Sequence, residues 1–172
     1  MKQREAYREQ ALAMLDTAGI ALTAQERAAL ELADFGLDDF ETTGLSLVTY
    51  LNTQRCCAKE LVLFAGQTCP EHLHPPVGDE PGKEETFRCR WGKVFLYVSG
   101  EPSEQILATV PVGRESAYRV FHEIVLLPGD QYTLLPGTLH WFQGGPKGAI
   151  VSEFSTRSRD ELDVFTDPDI VR

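Results

Sequence analysis

A chain of 172 residues, 42% hydrophobic and 24% charged, is long enough for one domain with a sizeable core, and its lack of any long apolar run excludes a membrane span. Its formal net charge of −10 leaves no basic footprint to neutralise phosphates, which excludes nucleic acid as a partner. The opening stretch MKQREAYREQALAML scatters charges through what would be the apolar part of a secretory signal, so a cytoplasmic protein is expected. Cys56, Cys57, Cys69 and Cys89 lack CxxC spacing, and two are neighbours; they read as reduced, mostly buried thiols.

In chain order, Tyr7, Ala11, Met14, Leu15 and Ala18 recur at helical spacing up to Gly19. Thr23 and Glu26 then offer a capping box ahead of RAALELADFG, which predicts a second helix ending at Gly36. From Leu45 the chain changes to short β-rich runs between turn residues: LSLVTYL, CAKELVLF, KVFLYVSG, YRVFHEIVLLPGD, YTLLPGT and AIVSEFST. Many short strands and little helix predict a sandwich or barrel. Pro75 to Gly82 reads as a loop, and the tail holds Leu162, Val164, Phe165 and Ile170 with which to anchor itself to the body.

His72 and His74 stand two apart, so on a strand both imidazoles face the same way, close enough to share an ion. In KEETFRCRWG the polar residues Glu84, Thr86, Arg88 and Arg90 alternate with Glu85, Phe87, Cys89 and Trp91. Glu85 therefore falls on the inward face, where a carboxylate needs a partner, and Glu84 falls in water. A third histidine, His140, follows a Pro-Gly turn much later.

These residues resemble the barrel motif of the cupin superfamily, G-x(5)-H-x-H-x(3,4)-E-x(6)-G followed by G-x(5)-P-x-G-x(2)-H-x(3)-N. Gly66, His72 and His74 keep its spacing, as do Glu85 with Gly92 and Gly137 with His140; Glu84 would break it. Three departures are a longer gap between His74 and Glu85, Pro136 one place nearer His140, and Gly144 where Asn is common. The resemblance implies a mainly β fold: a single cupin domain over 1–172, with a double-stranded β-helix or jelly-roll barrel at 45–156. N-terminal α-helices in 1–40 would pack on the barrel, and 157–172 would form a C-terminal tail. It also implies a metal held by His72, His74, Glu85 and His140. Such a mixed nitrogen and oxygen set suits Mn²⁺, Fe²⁺, Co²⁺ or Ni²⁺ better than a structural zinc. His122 lies outside the motif and reads as a packed strand histidine.

Two further groups are candidates for chemistry. Glu153 alternates with Ala149 and Val151, a second carboxylate on an apolar face, and Lys83 stands two residues before Glu85. With HLHPPVGDEPGKEETFRCRWG, PGDQYTLLPGTLHWFQGG, VSEFST and SRDELDVFTDPDIVR, the chain looks like the sugar-isomerising cupins of the D-lyxose isomerase family. That resemblance implies Mn²⁺, with Co²⁺ or another divalent ion as substitutes, and proton-handling roles for Glu153 and Lys83. The expected reaction interconverts D-lyxose and D-xylulose, and D-mannose and D-fructose, by proton transfer through a cis-enediol, with a metal-mediated hydride shift as the alternative route. Sugar hydroxyls and an aromatic wall would be supplied by Arg159, Asp163 and Trp141 or Phe142. An exposed strand edge and the N-terminal helices, together with the resemblance, predict a homodimer acting on a small monosaccharide. Two readings compete: an Fe²⁺-dependent cupin dioxygenase, and a sugar-binding cupin without catalysis.

Overall fold

The computed structural model describes residues 2–172. Helix α1 (Lys2–Thr17) turns Ala11 and Leu15 onto the body of the protein, with Tyr7 and Met14 beside them, as the helical spacing predicts. It closes in a Schellman turn: Ile20 N–H donates to Leu15 O and Gly19 N–H to Asp16 O, with Gly19 at φ 70°.

The capping box forms: Glu26 N–H donates to Thr23 Oγ1, and Thr23 N–H donates to the Glu26 carboxylate. Yet α2 is only Ala24–Ala28. Rather than continuing to Gly36, the chain forms strand β1 (Glu31–Ala33), antiparallel to β2 (Leu45–Asn52). The burial explains the correction. Leu32 packs beneath α1 while Ala33 faces the barrel interior, and only an extended segment puts adjacent residues on opposite faces.

The remaining strands among the described residues are β3 (Cys57–Leu63), β4 (Thr68–Leu73), β5 (Glu85–Val98), β6 (His122–Leu126), β7 (Gln131–Leu134), β8 (His140–Ser155) and β9 (Val164–Phe165). They form one sheet with the path β1-β2-β3-β8-β4-β9, while β5 pairs with β6, β7 and β8. Strand β8 is its spine. Residues Ala149 to Ser155 pair with β3, His140 to Gln143 pair with β4, and both stretches pair with β5 on the other side. These antiparallel pairings curl the sheet into the expected jelly-roll barrel.

Strands β5 and β8 are longer than the sequence pattern suggests, because the glycines inside them bend each strand without ending it. Register shifts fall between Cys89 and Trp91 and between Gly92 and Val94. Gly92 has φ 74°, and a Cβ at that position would lie 2.1 Å from Gly148 O. The two backbones approach too closely there for any side chain.

Three apolar clusters follow from the alternation along the strands. Leu61, Phe87, Phe142 and Val151 fill the barrel; Leu15, Val62 and Ile150 sit between sheet and helix. Tyr97, Tyr118 and Trp141 form the third, beneath the connection 99–121. Cys57, Cys69 and Cys89 are buried, Cys56 is exposed, and all four are free thiols. Among the described residues, no helix is long and apolar enough to cross a membrane.

Candidate metal centre

The centre is assembled by sheet register. His72 on β4 and His140 at the start of β8 are Cα partners, and their rings lie 4.3 Å apart. His74 follows two residues after His72 on the same face, with ring separations of 5.0 Å to His72 and 5.4 Å to His140. Each of the three offers one nitrogen within 4.8 Å of the others, and all three residues are buried. Glu85, the first residue of β5 and only 2% exposed, places Oε1 3.0 Å from His74 Nε2 and 3.2 Å from His140 Nε2. Glu84 is exposed.

The second nitrogen of each ring is already committed. His72 Nδ1 lies 2.8 Å from Pro70 O, His140 Nδ1 lies 3.0 Å from Thr138 O, and His74 Nδ1 lies 2.6 Å from Asp163 Oδ1. A carbonyl only accepts, so Nδ1 carries the hydrogen in His72 and His140, and Nε2 keeps its lone pair. Burial holds the His72 imidazole well below its ordinary value, aided by the neighbouring His140 and His74. It is therefore neutral, the form that binds a metal.

Two features fit this centre to a cation. His140 Nε2 is buried and, despite its nearness to Glu85, makes no hydrogen bond of acceptable geometry; an orphaned buried acceptor calls for a partner. Burial alone would pull the His74 imidazole down, but Glu85 and Asp163 outweigh it and hold the ring up at about 9. His74 Nε2 and Glu85 Oε1 converge at 3.0 Å, setting a nitrogen and an oxygen donor side by side for a divalent ion. Three imidazole nitrogens and a carboxylate oxygen would hold such an ion with positions left for another ligand.

A buried charged pair adjoins the cluster. Lys83 Nζ lies 2.8 Å from Glu85 Oε2 and donates to Glu153 Oε1 at 3.1 Å. Glu153 Oε1 also accepts from Ser155 Oγ at 2.9 Å. Burial opposes the charge on Lys83, but Glu153 and Glu85 outweigh it and hold the ammonium well above its ordinary range. Burial likewise opposes the Glu85 carboxylate; Lys83 and His74 outweigh it and hold Glu85 well below the usual carboxylate range. Phe87, Phe142 and Leu61 wall the cavity on which these groups converge.

The family model described as D-lyxose isomerase matches residues 14–172. The chain belongs to the D-lyxose isomerase family. It is 66% identical over 169 residues to the D-lyxose ketol-isomerase of Cohnella laeviribosi, a match covering 98% of this chain and 92% of that one. It is 63% identical over 158 residues to the D-lyxose/D-mannose isomerase of Thermosediminibacter oceani, covering 92% and 87%. Among solved structures, the ligand-free L-ribose isomerase of Cellulomonas parahominis superposes with a TM-score of 0.81 at 17% identity, covering 98% of this chain and 93% of the other. The Acinetobacter sp. DL28 L-ribose isomerase in complex with L-ribose gives 0.80 at 17%, with the same coverage. At that identity the likeness carries the fold alone.

In this member of the D-lyxose isomerase family, three expected sugar contacts fall in different places. Trp141 is fully buried away from the cavity, stacked on Tyr97 at 4.0 Å and donating Nε1–H to Val120 O. It follows the inward His140, so strand parity turns it outward; its alternative Phe142 does reach the cavity, alongside Phe35, Phe87 and Phe165. Arg159 does not line that cavity; it pairs with Glu80 in the loop after His74 at 2.6 Å and lines a neighbouring pocket with His74, Lys83 and Asp163. Asp163 does reach the cavity, but its carboxylate is engaged with His74. His122 opens β6 with Nδ1 3.0 Å from Glu101 O, outside the cluster.

Charged cavity groups that escaped the sequence reading are Lys59, Asp160 and Arg172. Lys59 on β3 is buried, is the Cα partner of Glu153, and donates to Ser158 Oγ at 2.8 Å and Asp160 Oδ2 at 2.6 Å. The signal was present: Lys59 alternates with Leu61 and Leu63, both in the barrel core, the same pattern that singles out Glu153.

Proposed function

We propose that this chain is a divalent-metal-dependent aldose–ketose isomerase that interconverts D-lyxose and D-xylulose, with D-mannose and D-fructose as a second pair. The names and the identity of its relatives support the substrates. The observation that carries the chemistry is the buried Glu153–Lys83–Glu85 set adjoining three imidazoles. His72, His74, Glu85 and His140 would hold the ion, Mn²⁺ by preference and Co²⁺ or another divalent ion as a substitute. When bound, it supplies Lewis acidity, polarising the oxygens on C1 and C2 of the sugar and acidifying the hydrogen on C2.

Glu153 acts as the base. It removes the C2 proton of the open-chain aldose as O1 gains a proton, giving a cis-enediol; it then returns its proton to C1 as the O2 hydroxyl loses one, giving the ketose. The net change is a two-position transfer of hydrogen with no oxidant consumed. Lys83 anchors Glu153 Oε1 through its hydrogen bond, and its ammonium would give O1 the proton that it gains and take back the one that O2 loses. The apolar walls, Leu61, Phe87 and Phe142, keep bulk water from the reacting carbons.

The working form proposed is a cytoplasmic homodimer. In its support, Leu51, Ala58 and Phe154 form one row across β2, β3 and β8, and Leu51 and Phe154 are 42% and 51% exposed. Apolar side chains set in a row on an outer sheet face suit a second copy.

The test is turnover of D-lyxose to D-xylulose by chelator-treated protein, with and without added Mn²⁺, in air and under nitrogen. Activity restored by Mn²⁺ and indifferent to dioxygen is expected. Saturable sugar binding without D-xylulose, or turnover that requires dioxygen, overturns the assignment.

A further inference from the structure

The three imidazoles are not oriented by the same kind of partner. His72 and His140 each use a backbone carbonyl two residues back, Pro70 O and Thr138 O. His74 alone is held by a side chain from a distant segment, Asp163, 89 residues further along. Both groups are nearly sealed from water, with side chains 8% and 9% exposed. Asp163 immediately precedes β9, in which Val164 and Phe165 pair with Leu73 and His72. The Phe165 ring lies 5.3 Å from the His72 ring, and Thr166 N–H donates to Glu71 O at 3.0 Å. The C-terminal segment is therefore laid along the strand that carries two of the histidines, with its carboxylate on the one ring that lacks a local partner.

We propose that Asp163 is a positioning residue for the metal centre: it fixes the His74 ring with Nδ1–H toward the tail and Nε2 toward the ion, so that metal binding and docking of residues 160–166 reinforce each other. This rests on the metal-dependent reading above. A carboxylate behind a ligating imidazole sets its tautomer and orientation and raises its basicity. Coupling between two binding events is reciprocal, so a tail that improves the site must itself be held more firmly once the ion is present. The same contact explains why a buried carboxylate at the cavity edge is turned toward a histidine instead of toward open space.

The experiment uses the full chain. Mn²⁺ affinity is measured by competition with a chromophoric chelator for the unaltered protein, Asp163→Ala and Asp163→Asn. Co²⁺ absorption spectra report ligand geometry, and deuterium uptake of the amides in 160–166 is followed with and without Mn²⁺. Asp163→Ala should bind Mn²⁺ about 10- to 100-fold more weakly and show shifted Co²⁺ bands. Asp163→Asn, which keeps an acceptor for Nδ1–H but not the charge, should fall between. Mn²⁺ should slow exchange in 160–166 in the unaltered protein and not in Asp163→Ala. A folded Asp163→Ala protein with unchanged Mn²⁺ affinity, or tail exchange indifferent to Mn²⁺ in the unaltered protein, overturns the inference. If Asp163→Ala does not fold, Asp163→Asn decides, and unchanged affinity with an unchanged Co²⁺ spectrum overturns it. An unaltered protein that takes up neither ion overturns the metal reading itself, a result distinct from a variant that matches a metal-binding parent.

Discussion

Lys59 and Glu153 face each other as Cα partners on β3 and β8, both buried, at the cavity that adjoins the histidine cluster. The ammonium of Lys59 is committed to Asp160 and Ser158, whereas Glu153 is held by Lys83 and Ser155. The sheet thus seats a carboxylate among cations without tying it to the nearest one across the strands.

Glu153→Gln removes the base while preserving shape and the hydrogen bond from Lys83. Turnover of D-lyxose should fall by about 10²- to 10⁴-fold, the usual contribution of a positioned base, with metal content unchanged. Steady-state kinetics alongside elemental analysis check both halves of that expectation.

His140→Ala removes the ring whose Nε2 is buried and unpartnered. The protein should lose stoichiometric metal together with activity, whereas Glu84→Gln, a change on the exposed face, should leave both within about twofold, as surface changes usually do. Metal analysis after dialysis distinguishes the two.

Chelation should lower thermal stability as well as abolish turnover. An ion that binds only the folded state adds about 2.7 kcal/mol at a free concentration 100 times its Kd. The melting temperature should therefore climb with Mn²⁺ concentration in a calorimetric titration, and stay flat in His140→Ala.

Acid should unfold the protein partly through Asp160. Burial pushes its carboxyl up, but Lys59 and Lys83 outweigh burial and hold it well below its ordinary value of 3.8. A depressed folded-state value contributes stability above the unfolded value, and that stability is lost as pH falls through 3.8 toward the folded one. Urea midpoints measured between pH 6 and about 2 should drop less steeply in Asp160→Asn than in the unaltered protein.

Gly92→Ala tests the strand crossing. Its φ of 74° and the 2.1 Å approach of Gly148 O leave no place for a methyl group. Backbone strain alone costs about 1–3 kcal/mol, and steric overlap adds to it, so denaturant unfolding should shift well beyond the effect of a surface change.

The four proposed metal ligands were legible as a cluster because each depends on local rules. A period of two sets His72 and His74 together and separates Glu85 from Glu84, and motif spacing reaches His140 without knowledge of the path between. The same rule, applied to Trp141, would have turned it away from the cavity, and applied to Lys59 would have turned it in. The end of α2 was not legible, since LELA suits either a helix or a strand until β2 is there to accept its backbone hydrogen bonds. The bond between Asp163 and His74 was beyond reach for a different reason: nothing along 89 residues marks the two as neighbours.

Strand β8 joins β3, β4 and β5, and it begins at His140. A nascent chain that has emerged only as far as the turn before it holds three strands with nothing to connect them, and two histidines and a glutamate with no third ring. Non-local pairing of this kind forms late. Completion of the proposed metal centre must therefore follow synthesis of nearly the whole chain, and a ribosome stalled before His140 would carry a segment in which the barrel cannot close.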